Sequence, residues 1–220
     1  MALRTSPEER DLGLCVIVGG EKNPAGVVRA ALKGGARFIQ YRGKGKTSAV
    51  QLREARELRA ITRKHGATLV INDRPDIALL SGADGVHLGT ADLPLPAVRR
   101  MLGAGILIGA TAHTSEEGKA AEADGADYLG FGAVFPSATK AGVAVVGLDR
   151  LESFVRGSSL PVLGIGGISE NNVADVCRRG AAGVAVLSAV TAAADPAAAS
   201  RNLVRRMEEA VSSGPQASGS

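Results

Sequence analysis

Gly34-Gly35-Ala36-Arg37-Phe38-Ile39-Gln40-Tyr41-Arg42-Gly43-Lys44 compresses a helix stop, a strand and a polar strand end into eleven residues. Gly35 suits the left-handed conformation that closes a helix. The run 37–41 that follows is short and apolar, as a buried strand should be. At its end, a neutral amide and two cations occupy the alternating positions Gln40, Arg42 and Lys44, so strand geometry sends all three side chains to one side.

The same unit recurs along the chain. Gly-Ala pairs at Gly66-Ala67, Gly82-Ala83, Gly103-Ala104, Gly125-Ala126 and Gly180-Ala181 each follow a stretch of helical character. They precede apolar runs at 68–71, 85–88, 106–110, 128–131 and 183–187. Runs 14–18 and 161–165 bring the strands to eight, and the segments between them are long enough for crossover connections. Near-continuous Val, Ile and Leu, without polar alternation, indicate a parallel sheet covered on both faces. Eight such units predict an α/β fold, a single TIM (β/α)8 barrel, with an open doubly wound sheet as the alternative. Residues 48–64 read as an amphipathic helix with Ser48 and Gln51 at capping-box spacing, Thr114 and Glu117 offer a second box, and 75–80 leaves room for a helix of a turn or two.

A chain of 220 residues with 45% hydrophobic content can bury the core of one domain. The expected division is a flexible segment at 1–11, a catalytic barrel at 12–211 and a disordered Ser/Gly-rich tail at 212–220. No apolar stretch approaches the roughly 20 residues that cross a bilayer, and 1–11 lacks the apolar centre of a secretory signal, which predicts a cytoplasmic protein without a membrane partner. The net charge of +4 would suit nucleic acid, but aromatic residues make up only 3% and the basic residues are dispersed, so nucleic acid is not expected. Cys15 and Cys177 have no His or Cys at ligand spacing and read as buried thiols.

In a barrel of this kind the carboxyl ends of all strands converge, and those ends carry the polar residues. Arg42 and Lys44 pair a bidentate fork with a point charge, which suits a diphosphate; a solvated basic loop continuing to Lys46 is the bland alternative. Asn72-Asp73-Arg74 follows run 68–71, and Asp92 follows run 85–88. Two carboxylates at adjacent strand ends beside cations suit Mg2+ carrying a diphosphate. Taken singly, Asp73 before Pro75 reads as a helix cap and Asp92 before Pro94 as a turn residue. Ser137, Thr139 and Lys140 form a polar loop after run 128–131, while Gly166-Gly167 and Ser188 end the last two strands, where barrels commonly cradle phosphate. Thr111 either bonds a ligand or closes its strand. His87 reads as a hydrogen-bonded packing residue, and His113 lies within reach of the site; neither has a serine or cysteine nucleophile beside it.

In order and spacing, these motifs together with Asp84-Gly85-Val86-His87-Leu88-Gly89, Ala112-His113-Thr114 and Pro136-Ser137-Ala138-Thr139-Lys140 resemble the thiamine-phosphate synthase (thiamine-phosphate pyrophosphorylase) family over nearly the whole chain. The resemblance implies a cytoplasmic transferase of thiamine biosynthesis. It would join 4-amino-2-methyl-5-(diphosphooxymethyl)pyrimidine to 4-methyl-5-(2-phosphoethyl)thiazole, or its carboxylated form, giving thiamine phosphate and pyrophosphate. It implies Gln40, Tyr41, Arg42, Gly43, Lys44, Asn72, Thr111 and Lys140 as pyrimidine-diphosphate contacts, with Arg42, Lys44 and Lys140 catalytic. Asp73 and Asp92 would hold Mg2+, and Ser137, Ala138, Thr139, Gly167, Leu187 and Ser188 would take the thiazole phosphate. The implied partners are these small molecules, with a homodimer left open. Gly43, Thr90 and Thr111 stand where an acidic residue, glutamine and serine are common in the family. Two other functions use the same barrel: a thiazole tautomerase, against which Gln40 and Asp92 speak, and a phosphate-binding barrel without turnover.

Overall fold

The computed structural model describes residues 12–136 and 144–212. Its eight parallel strands, β1 (Leu14–Val18), β2 (Phe38–Tyr41), β3 (Thr68–Asn72), β4 (Gly85–Leu88), β5 (Leu107–Ala112), β6 (Tyr128–Gly132), β7 (Val162–Ile165) and β8 (Gly183–Val186), pair in sequence order, and β8 returns to β1. The sheet is therefore closed, which excludes the open alternative. The connecting helices are α1 (Pro24–Lys33), α2 (Ser48–Lys64), α3 (Pro75–Ser81), α4 (Leu95–Leu102), α5 (Ser115–Ala123), α6 (Gly147–Arg156) and α7 (Val173–Arg178); α8 (Ser188–Thr191) and α9 (Pro196–Ser212) complete the chain. The last helix thus ends one residue inside the stretch expected as a tail.

The Gly-Ala repeat has a geometric cause. All six glycines singled out take positive φ, from 63° at Gly66 to 103° at Gly35. At 35–36, 66–67, 82–83 and 125–126, the glycine N–H reaches back three residues and the alanine N–H five, the paired bonds of a Schellman stop. The four alanines are buried, so each methyl also anchors the chain as it turns into the next strand. Two stops carry a third device. Asp84 Oδ2 accepts from Leu69 N and from Arg59 of α2, each at 2.9 Å. Asp127 Oδ2 likewise accepts from Ile108 N and from Arg99 of α4, each at 2.7 Å. These ties sit at the amino ends of strands, the face of a barrel that serves stability.

Helix α2 spans 48–64 as predicted, but its cap lies one residue before the predicted box. Thr47 is the cap, accepting from Val50 N at 3.4 Å, while Ser48 accepts from Arg74 and Gln51 is buried with its amide donating to Lys46 O. Thr114 does cap α5, but Glu117 reaches His113 N at 2.7 Å, one residue before the cap.

Two apolar layers result. One fills the space between barrel and helices, and the other, built from Cys15, Ile17, Phe38, Val70, Leu107, Tyr128, Leu163 and Ala185, fills the barrel itself. Both cysteines are free and buried; desolvation raises both thiols, Cys177 to about 11. Gly109 of β5 and Gly130 of β6 make room for Tyr128 of this inner layer and for His87. A Cβ at Gly109 would overlap the Tyr128 ring, and one at Gly130 would stand 3.2 Å from His87 Cε1. Large side chains nest over glycines on the neighbouring strand, the interdigitation that dense packing requires. Phe38 meets the Tyr128 ring edge-on at 5.5 Å. Among the described residues, no helix is long and apolar enough to cross a membrane.

Candidate active site

The strand pleat sorts β2 as the sequence predicts. Gln40 pairs in register with Ile17 and Val70, whose side chains belong to the barrel interior. Its buried amide donates to Asn72 Oδ1 at 2.7 Å, so two amides from adjacent strands form one polar surface under the barrel mouth. Tyr41 alternates outward. Its side chain is buried in the helix-facing layer and its hydroxyl donates to Glu54 of α2 at 2.7 Å, which leaves its backbone as the part of Tyr41 that faces the pyrimidine-diphosphate side. Gly43 is buried against that tyrosine: a Cβ there would lie 2.6 Å from the Tyr41 hydroxyl and 2.8 Å from Gln51 Cγ.

Asp73 is the one non-glycine residue with positive φ, 63°, among the described residues. Its amide donates to His87 O at 2.8 Å, tying this strained turn to β4. It is not the cap of α3; Arg74 holds that position, without a side-chain cap bond. Asp92 is a turn residue, since Gly89 N donates to its Oδ2 at 2.6 Å, but it also meets Asp73 carboxyl to carboxyl. Burial at the crowded inner side of the mouth and the contact with Asp92 push the Asp73 carboxyl up to about 6, against the downward pull of Arg42 and Lys44. Four predicted residues from three loops are thus within electrostatic reach of one another. Arg42 is half-buried and Lys44 exposed, and neither forms a salt bridge among the described residues.

Thr111 is half-buried at the end of β5, and its Oγ1 lies 3.0 Å from His87 Nε2. His87 Nδ1 lies 3.0 Å from the hydroxyl of Tyr128. Burial raises the Tyr128 phenol well above its ordinary range, so it remains neutral. A polar chain therefore runs from the sealed barrel interior to a hydroxyl at the mouth. Sequence reasoning gave His87 its packing role and missed Tyr128; the available signal was an aromatic with a hydroxyl starting a strand whose neighbour carries glycine at the paired position. His113 is exposed, with Nδ1 3.3 Å from Gly132 O.

At the opposite side of the mouth, Gly166 and Gly167 take φ of 98° and 64°. A Cβ on Gly167 would lie 2.7 Å from Phe135 Cβ, so only glycine lets the end of β7 pass under the 133–136 loop. Asn172 fixes this turn, donating to Gly167 O at 3.0 Å and accepting from Ser169 N at 2.8 Å. Leu187 is the residue before α8 and half-buried, and Ser188 opens α8 and is exposed. Ser137, Ala138, Thr139 and Lys140 lie outside the described residues.

With this geometry established, comparison with known proteins assigns the family. The family model described as thiamine monophosphate synthase matches residues 14–190. The chain belongs to that family. It is 47% identical over 208 residues to the thiamine-phosphate synthase of Anaeromyxobacter dehalogenans, a match covering 94% of this chain and 91% of that protein. It is also 47% identical over 206 residues to the thiamine biosynthesis bifunctional protein ThiM/ThiE of Symbiobacterium thermophilum, where the match takes 93% of this chain but spans only 42% of the relative. Among solved structures, thiamine phosphate pyrophosphorylase from Pyrococcus furiosus superposes with a TM-score of 0.85 at 38% identity, covering 91% of this chain and 98% of that one.

Proposed function

We propose that this member of the family is a cytoplasmic, Mg2+-dependent thiamine-phosphate synthase. Its substrates are 4-amino-2-methyl-5-(diphosphooxymethyl)pyrimidine and 4-methyl-5-(2-phosphoethyl)thiazole or its carboxylated form. The observation that carries the reading is the carboxylate pair Asp73 and Asp92 in contact beside Arg42 and Lys44. Two carboxylates in contact at adjacent strand ends form an oxygen-only site that fits a small divalent cation. When bound there, Mg2+ would neutralise charge on the diphosphate as it leaves.

The chain's own residues then have separate tasks. The methylene–oxygen bond to diphosphate breaks and a bond from the thiazole nitrogen to that methylene forms, with no protein nucleophile required; the carboxylated thiazole would in addition lose its carboxyl group as CO2. Arg42 and Lys44, joined by Lys140 on the sequence reading, stabilise the negative charge that develops on the leaving group. The Gln40 and Asn72 amides and the Thr111 hydroxyl orient the aminopyrimidine diphosphate. Gly167, Leu187 and Ser188, with Ser137, Ala138 and Thr139, hold the thiazole phosphate on the far side, so that alignment of the two substrates lowers the barrier further. Titration calorimetry with the pyrimidine diphosphate tests the metal part: the reading expects binding with Mg2+ and its loss on chelation, and equal affinity in both conditions contradicts it.

A further inference from the structure

The β2–α2 loop carries three cations, Arg42, Lys44 and Lys46, but treats them differently. Lys46 Nζ sits 3.0 and 2.7 Å from the two carboxylate oxygens of Glu54, in the second turn of α2. The Tyr41 hydroxyl donates to the same Glu54 Oε2 at 2.7 Å. The pair is well covered, with the Lys46 and Glu54 side chains 23% and 17% exposed. Backbone ties complete the knot: Lys46 N donates to Gly43 O at 3.1 Å, and Gln51 Nε2 donates to Lys46 O at 2.9 Å. Gly43, pressed between Tyr41 and Gln51, has no space to carry a side chain of its own. Glu54, from the helix, is the carboxylate at the centre of this knot. Arg42 and Lys44, in contrast, reach Asp73 electrostatically and enter no salt bridge among the described residues.

We propose that Glu54 is a positioning residue for diphosphate recognition. By fixing Lys46 and the Tyr41 hydroxyl, it holds residues 42–46 in the form that presents Arg42 and Lys44 to the diphosphate, and it keeps Lys46 out of that role. The inference rests on the reading of Arg42 and Lys44 as diphosphate ligands. Its physical basis is that a loop ordered only on binding weakens the complex, whereas a loop ordered beforehand does not carry that cost at the moment of binding.

The test uses inorganic pyrophosphate with Mg2+ as a probe, by calorimetry on the full chain, alongside steady-state kinetics on both substrates. Glu54→Ala should weaken pyrophosphate binding and raise the KM of the pyrimidine diphosphate by about tenfold, the effect of leaving the 42–46 loop to be ordered by the ligand. The KM of the thiazole phosphate should move less than twofold. Glu54→Gln keeps an acceptor for Tyr41 and should retain most of the affinity, with Tyr41→Phe between the two; these milder variants carry the test if the alanine chain does not fold. A lower melting temperature with unchanged pyrophosphate affinity, or equal rises in both KM values, overturns the inference. Wild-type protein that binds pyrophosphate but forms no product refutes the synthase reading alone and leaves the inference to the Glu54 variants. Wild-type protein that binds no pyrophosphate refutes both.

Discussion

Replacing Asp73 by Asn separates the fold from the proposed chemistry. The backbone at φ 63° accepts asparagine as readily as aspartate, so the turn after β3 should survive the change. What changes is charge. In the folded protein the carboxyl is raised from 3.8 to about 6 by burial and by Asp92. Between those values the folded state binds more protons than the unfolded one. Without metal, this group's stabilising effect is therefore complete below about pH 4 and lost as the pH rises through about 6. At neutral pH the two carboxylates repel each other, and with water screening the open mouth that repulsion is worth roughly 1 kcal/mol. Asp73→Asn should accordingly raise the melting temperature of metal-free protein at pH 7 by about 2–4 °C, the shift that 1 kcal/mol gives in a domain of this size. It should also flatten the decline in stability between about pH 4 and 6. Turnover should fall about 100-fold or more, the usual loss when an electrostatic partner of a leaving group is removed. Scanning calorimetry across pH on metal-free protein and pyrophosphate-release kinetics with varied Mg2+ make the measurements. Turnover within twofold of wild type with the same Mg2+ dependence refutes the ligand role, and a melting temperature that falls by several degrees refutes the crowding of the two carboxylates.

Substitutions at three further positions probe other parts of the account. Tyr128→Phe removes the hydroxyl 3.0 Å from His87 Nδ1 in a sealed interior and should cost about 1–3 kcal/mol, read as a lower denaturant midpoint; unchanged stability would contradict the buried relay. Thr111→Val should raise the KM of the pyrimidine diphosphate several-fold while Thr111→Ser does not, and equal effects of the two would remove the hydroxyl from the account. Gly167→Ala, at φ 64° and under the 133–136 loop, should weaken thiazole-phosphate binding far more than pyrimidine-diphosphate binding, a split visible in the two KM values.

The architecture was legible in the sequence because its repeat is local. A glycine that must take positive φ, an alanine that must be buried and a short apolar run all declare themselves within a few residues, and the strand ends then place Gln40, Asn72, Asp73, Asp92 and Thr111 on one rim. The direction of Gln40 followed from strand alternation, and the same alternation turned the Tyr41 side chain away from the mouth. The cap of α2 was displaced by one residue because Thr47 and Ser48 are chemically equivalent candidates, and only the loop's path decides between them. The Glu54 tie and the chain from Tyr128 through His87 to Thr111 join residues 8 to 41 positions apart, with contacts set by helix docking and barrel closure rather than by any local pattern.

The proposed synthesis is tested most directly by supplying the pyrimidine diphosphate and the thiazole phosphate together to the purified chain and quantifying thiamine phosphate and pyrophosphate. The account predicts equimolar formation of the two products, dependent on both substrates and abolished by chelating Mg2+. Failure to form thiamine phosphate, or isomerisation of the thiazole phosphate with no pyrimidine diphosphate consumed, would contradict it.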